Sequence, residues 1–174
     1  MRLGTLEWVP AGERPDLLAA PVAQAVAAVD DEVAVAPIDP ALADTAAFCE
    51  RYGVGLDESA NCVIVAAKRG GETRYAAVMV LATMRADVNG VIRRHLDARK
   101  TSFAPQQEAV EMTGMEYGGI TPLGLPADWP VLVDAEVARR PLLVIGSGIR
   151  GSKLALAGEA LARLKTAEVL PLAQ

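Results

Sequence analysis

Eleven residues, Gly114-Met-Glu-Tyr-Gly-Gly-Ile-Thr-Pro-Leu-Gly124, constrain the fold of this chain more than any other stretch. Four glycines and a proline punctuate them. Glycine reaches backbone conformations that other residues avoid, and proline fixes φ near −65° and removes a donor. The segment therefore cannot extend a helix or a sheet ladder. It reads as a loop whose backbone N–H groups can approach a ligand, forming a pocket for a small acyl group or an oxyanion without charged side chains. A long surface turn has the same composition, so the flanking sequence has to decide between the two.

The flanks are apolar and strand-like. Trp129-Pro-Val-Leu-Val-Asp134 follows the loop, and Leu142-Leu-Val-Ile-Gly146 then breaks into a glycine turn, Gly146-Ser-Gly-Ile-Arg-Gly151. Lys153-Leu-Ala-Leu156 leads into a helix predicted over 158–164. Upstream, Asn61 to Ala67 is a continuous apolar run, the pattern of a strand buried on both faces and central in its sheet. Lys68-Arg-Gly-Gly-Glu72 reads as a hairpin turn, with the returning strand over 73–81. Helices are predicted over 16–29 with a break at Pro21, over 40–52 behind the Asp39-Pro40 cap, over 87–96, and from Pro105 to Gly114. A short strand is expected over 32–38. A hairpin, scattered short strands and interspersed helices without strict alternation indicate an α+β fold.

Composition bounds the rest. A chain of 174 residues suits a single domain over 1–174 with a sizeable core. Hydrophobic residues make up 52% but aromatics only 4%, so Ala, Val, Leu and Ile must fill that core. No apolar run is long enough for a membrane span, and the start, Met1 to Trp8, lacks the plan of a signal peptide. Cys49 and Cys62 read as reduced core thiols, which sets the expectation of a cytoplasmic protein. A net charge of −5 speaks against an extended nucleic-acid surface, while leaving room for local contact with an RNA end.

The order of motifs resembles the YbaK and prolyl-tRNA-synthetase-associated editing domain family from about residue 40 to 165. Gly118-Gly-Ile-Thr-Pro-Leu-Gly124 is similar to that family's Gly-Gly-Ile-Ser-Pro-Leu-Gly loop, with its Gly-x-x-x-Pro motif at Gly118 to Pro122. Residues 1–39 lie outside the resemblance and read as an N-terminal extension. The resemblance implies a curved, mixed, barrel-like sheet with surrounding helices. It also implies hydrolysis, in trans, of an amino acid mischarged onto tRNA, with the 3′ end of the aminoacyl-tRNA as partner. The sequence departs from the family at Asn61, where a lysine usually opens the strand. Asparagine cannot pair with phosphate as an ammonium would. Lys68 is a poor substitute, about 23 Å along an extended strand, whereas Lys153 beside the glycine turn is a better one.

The residues themselves offer no conventional catalyst. His95 is the sole histidine and reads as a surface residue, so no Ser-His-Asp or Cys-His arrangement exists. No metal-ligand spacing occurs, Gly146 to Gly151 is not a P-loop, and no cofactor is expected. A site of glycine loops suits a substrate that is already activated, such as an aminoacyl ester, where positioning and oxyanion stabilisation suffice. On this reading Asn61, Gly118 and Gly119 are the catalytic positions. Ile120, Thr121, Pro122, Ser147, Gly148, Arg150 and Lys153 bind substrate, with Ile120 and Thr121 making the amino-acid pocket small and Arg150 meeting a terminal phosphate. Asp134 reads as a helix cap rather than a base. Two other readings stay open: a non-catalytic relative that binds an amino acid, nucleotide or tRNA end, and a hydrolase of another small activated ester.

Overall fold

The computed structural model describes residues 1–174. The chain opens with β1 (Val9–Pro10), two 3-10 turns and α1 (Ala20–Ala27), with Pro21 in its first turn, where a missing N–H is tolerated. β2 (Ala34–Pro37) follows, then a 3-10 turn at Pro40–Leu42 and α2 (Thr45–Tyr52), closed by Gly53 at φ +70°. The predicted helix over 40–52 is thus two pieces, because Asp39 accepts the Ala41 N–H and caps only the 3-10 turn. The predicted 16–29 helix is likewise shortened, with a 3-10 turn at Pro15–Leu17 preceding α1.

β3 (Ala60–Arg69) and β4 (Glu72–Leu81) form the expected hairpin. Gly70 and Gly71 sit at φ +59° and +81°, the two positive values a two-residue primed turn requires. Asp87 accepts the Gly90 and Val91 N–H groups and opens a π-helical turn over Val88–Ile92, which runs into α3 (Arg93–His95). Next come β5 (Lys100–Phe103), α4 (Gln106–Thr113) ending at Gly114, and the glycine loop. β6 (Val131–Asp134) delivers Asp134 as the cap of α5 (Ala135–Arg139), as the sequence suggests. β7 (Leu143–Gly146), β8 (Ser152–Leu156), α6 (Gly158–Ala162) and β9 (Ala167–Leu170) complete the chain.

The architecture is mixed α+β. It differs from the single barrel-like sheet that the resemblance implies: there are two sheets and no closed barrel. One has four antiparallel strands in the order β1-β2-β8-β7, and the other has the order β5-β3-β4-β6-β9, with β6 parallel to both neighbours. Only the isolated bridge between Ser59 and Val144 joins them. β4 rather than β3 is the central strand, because β5 and β9, neither of which the sequence signals, extend the sheet. β5 covers β3 only from Val65 to Lys68, so the outer edge of β3 from Ala60 to Val63 is left open.

Alternation along the strands sorts the core into layers. Ile64, Met79, Leu81, Val133, Leu143, Ile145, Leu154 and Leu156 meet between the sheets. Val65, Val78, Val80 and Leu132 face the other way, against Ile92, Leu96 and Leu172. Val144 and Ala155 lie under Phe48 and Cys49 of α2. Each fully buried Leu or Val stabilises the fold by about 1.5–3 kcal/mol. The N-terminal segment is part of this structure: Val22 and Val35 are completely buried in the main core, and β2 pairs with β8 along its length.

Candidate active site

A cleft of about 760 Å³ opens at the free edge of β3. Most of its wall comes from four separate parts of the chain: the 43–46 segment leading into α2, Ser59 to Val63, the glycine loop at Tyr117, Gly118 and Ile120, and the second glycine turn with its flanking strands at Ile145, Gly146, Arg150 and Lys153; Leu56 and Ala82 complete it. Of the sequence-predicted site residues, Asn61, Gly118, Ile120, Arg150 and Lys153 line this cleft. Gly119, Thr121, Pro122, Ser147 and Gly148 do not. They lie behind the wall and hold it in place.

Close backbone approach explains that second group. A Cβ on Gly119 would sit 2.7 Å from the Ile149 carbonyl oxygen, and one on Gly146 would sit 2.6 Å from the Gly119 oxygen. Gly148, at φ +92°, donates its N–H to the Gly119 carbonyl at 2.7 Å and faces Ala19 and Val22 of the N-terminal segment. The two glycine turns are thus pressed against each other with no side chains between them. Ser147 is fully buried and exchanges hydroxyl contacts with Ser152 at 2.7 Å. Pro122 faces a different cavity on the far side of the loop. Thr121 is fully buried, and its hydroxyl has no hydrogen-bond partner.

The backbone donors of the loop divide in the same way. The Gly119 N–H is already given to the Glu116 carbonyl at 2.9 Å. The Gly118 and Ile120 N–H groups have no acceptor within the protein. The unpaired donors of the loop are therefore those on either side of Gly119, not its own.

Lys153 supplies the buried charge of the cleft. Alternation along β8 puts Leu154 and Leu156 in the main core and turns Lys153, with Ala155, toward α2. Its ammonium donates to the Ala43 carbonyl at 3.0 Å and lies 5.3 Å from the centre of the Phe48 ring. Burial first, and then the nearby Arg150 charge, push its pKa down to about 8, against the opposing pull of Cys49 and Asp44. Asn61 stands across from it at the start of β3, where its Oδ1 accepts the Thr45 hydroxyl at 2.7 Å. That leaves the Asn61 amide group free of protein acceptors. Arg150 is engaged with the scaffold: its guanidinium donates to the Tyr117 carbonyl at 3.1 Å and to the Pro40 carbonyl at 3.2 Å. It ties the glycine loop to the 3-10 turn at Pro40–Leu42.

Cys62 also lines the cleft, but burial pushes its thiol up to about 12, which removes it as a nucleophile near neutral pH. His95 is exposed and faces Glu168 at 3.3 Å, on another part of the molecule. Sequence reasoning missed the 43–46 segment and Tyr117 as cleft residues. Ala43 and Thr45 act through a backbone carbonyl and a single hydroxyl at a helix start, which no motif records. Tyr117 adjoins Gly118 and was open to notice as an aromatic residue beside a glycine pair.

The cleft thus combines two facing glycine turns with one buried lysine on an α+β scaffold. The sequence matches the aminoacyl-tRNA editing domain family over residues 39–164, and the chain belongs to that family. Solved structures share the fold. A candidate trans-editing enzyme for prolyl-tRNA synthetase is similar at 18% identity and TM-score 0.69, over 80% of this chain and 85% of its own. The hypothetical protein APE2540 is similar at 22% identity and TM-score 0.69, over 79% of this chain and 86% of its own. A scaffold protein from epitope backbone grafting by computational design reaches TM-score 0.74 at 17% identity, over 90% of this chain and 97% of its own. No helix is long and apolar enough to cross a membrane.

Proposed function

We propose that this protein is a trans-acting editing enzyme that hydrolyses the ester of mischarged aminoacyl-tRNA in the cleft between the glycine turns. The convergence of Asn61, Gly118, Ile120 and Lys153 on one cleft, in a chain of the editing-domain family, carries the reading. In this reading the amino acid lies against Ile120 and Ile145, and the 3′-terminal ribose and phosphate lie toward Lys153. Water attacks the ester carbonyl carbon, and the developing oxyanion takes hydrogen bonds from the Gly118 and Ile120 N–H groups. The bond from carbonyl carbon to ribose oxygen breaks, the ribose oxygen leaves as the hydroxyl, and the amino acid leaves as the carboxylic acid, which ionises. The neighbouring ribose hydroxyl orients the water, so the protein needs no nucleophile of its own. A small pocket makes biological sense, because binding alone discriminates poorly between side chains that differ by a methylene.

Lys153→Met removes the charge at nearly constant volume. It is expected to lower deacylation by about 10- to 100-fold, an effect that should weaken as salt rises. An unchanged rate would rule out Lys153 as the cation of the site. A second reading is favoured by Asn61, which stands where the family's lysine is expected and is committed to Thr45. In that reading the cleft binds an amino acid, nucleotide or tRNA end without turnover. Asn61→Lys separates the two: on the editing reading it should tighten binding of the tRNA end and steepen its salt dependence by about one phosphate contact. Binding that stays productive while no variant hydrolyses any ester would favour the second reading.

A further inference from the structure

The chain has two tryptophans, three tyrosines and two phenylalanines, and all but two of these have a structural task. Phe48 is completely buried and packs with Tyr52 at 5.3 Å, and the Tyr52 hydroxyl accepts the Asp39 N–H. Trp129 is buried and stacks on Tyr75 at 5.5 Å. Trp8 donates its indole N–H to the Leu3 carbonyl. The remaining pair, Phe103 and Tyr117, are 62% and 56% exposed and touch no other aromatic ring. Both line one shallow groove of about 290 Å³, together with Cys62, Val63, Ile64 and Ile120. Cys62, Val63, Ile120 and Tyr117 belong to the candidate active-site cleft as well, so groove and cleft form a continuous surface.

We infer that Phe103 and Tyr117 are stacking platforms for the unpaired bases at the 3′ end of tRNA, holding the end of the strand while its aminoacyl group occupies the cleft. The inference rests on the editing reading for its ligand. Two large apolar rings left in water beside a polar site call for an occupant with flat apolar faces. A nucleobase meets that need whatever its identity, and unstacked single-stranded bases are what proteins capture on aromatic side chains. The charge balance points the same way. A net charge of −5 speaks against grip on a long phosphate backbone, so stacking is the contact that would supplement Lys153 in holding a short single-stranded end. Placement agrees too. Phe103 ends β5 at the edge of its sheet, opposite Val65, and Tyr117 precedes the Gly118 donor by one residue. Bases on these rings would leave the aminoacyl ester to enter the cleft at Gly118 and Ile120.

The test uses the full-length protein and an RNA minihelix ending in single-stranded CCA, with a second probe in which the terminal base is removed. Binding is followed by fluorescence anisotropy for wild type, Phe103→Ala, Tyr117→Ala and the ring-conserving Tyr117→Phe. Both alanine variants are expected to weaken binding of the intact probe by about 5- to 100-fold, the range of base stacking on an aromatic ring. Tyr117→Phe should stay within about twofold. At least one platform should lose its effect on the abasic probe. In deacylation, KM should rise with little change in kcat. Both side chains are exposed, so the alanine variants should unfold at nearly the wild-type temperature. Equal binding of both probes by wild type and alanine variants would overturn the inference, as would no binding of either probe. So would a dimer that the alanine variants dissociate while RNA binding is unchanged, since a second copy would then be the occupant. Ring-independent binding with intact deacylation sinks this inference and leaves the editing reading standing. Ring-dependent binding without deacylation does the reverse.

Discussion

At the scale of single residues, the site is defined by which backbone and side-chain groups are already committed. Gly119 illustrates this. The sequence marks it as a donor to the substrate, but its N–H belongs to Glu116, and its lack of a side chain lets the loop lie on Ile149. Gly119→Ala is still expected to lower deacylation by about 10²-fold, because the methyl would move the neighbouring Gly118 and Ile120 donors, and the protein should lose stability as well. A rate loss without any change in unfolding temperature would contradict this account of the residue. Thr121 gives the opposite case. Its buried hydroxyl has no partner, so Thr121→Val should raise stability by about 1 kcal/mol in urea unfolding. Destabilisation would mean that the hydroxyl is in use. Lys153 makes a prediction about pH. Its pKa is about 8 when folded and about 10.4 in an unfolded chain, so between those values the unfolded state binds the extra proton. Stability of wild type relative to Lys153→Met should therefore rise from pH 8 to about 10.4, by at most about 3 kcal/mol, and be lost again as pH falls back through 8. A difference that does not vary with pH would place the ammonium in water.

At the scale of elements, the reading from sequence succeeds where local chemistry decides and fails where tertiary pairing does. The β3–β4 hairpin was legible because Gly70-Gly71 can take the two positive φ values that a two-residue turn between strand-like runs requires. The Asp134 cap and the glycine stops at Gly53 and Gly114 were legible for the same reason. β5 and β9 were not: Lys100 to Phe103 and Ala167 to Leu170 are short, half-exposed and strand-like only because β3 and β6 offer them a ladder. The candidate site was legible to a comparable degree. Its loops and Lys153 stand out in the sequence, but the division between cleft wall and support behind it depends on which glycine faces which backbone. The N-terminal segment carries the element-scale prediction. α1 packs on Gly124 and Gly148, and β2 fills one side of β8, so residues 1–38 support the glycine turns although they precede the family match. Removing them would take Val22 and Val35 out of the core, uncover the β8 edge and the backs of the glycine turns, and abolish cooperative unfolding. A truncated protein with a sharp transition near the wild-type temperature would show that the segment is dispensable.

At the scale of the whole molecule, the two sheets and their helices serve to bring four distant stretches of chain to one open strand edge. That edge exists because β5 stops at Phe103, opposite Val65, and the second sheet joins the first only at Ser59. The resulting cleft has one buried cation, two open backbone donors and no conventional nucleophile, an arrangement suited to a substrate whose ester is already reactive. On the proposed editing reading, a net charge of −5 suits contact with the end of a nucleic acid rather than along it. The most direct test is deacylation of a panel of tRNAs mischarged with small amino acids, measured at single turnover with enzyme in excess. The account predicts that at least one member of the panel is hydrolysed well above the spontaneous rate, and that Lys153→Met and Gly119→Ala lose most of that rate. Spontaneous rates for every member of the panel, unchanged by Asn61→Lys, would contradict it.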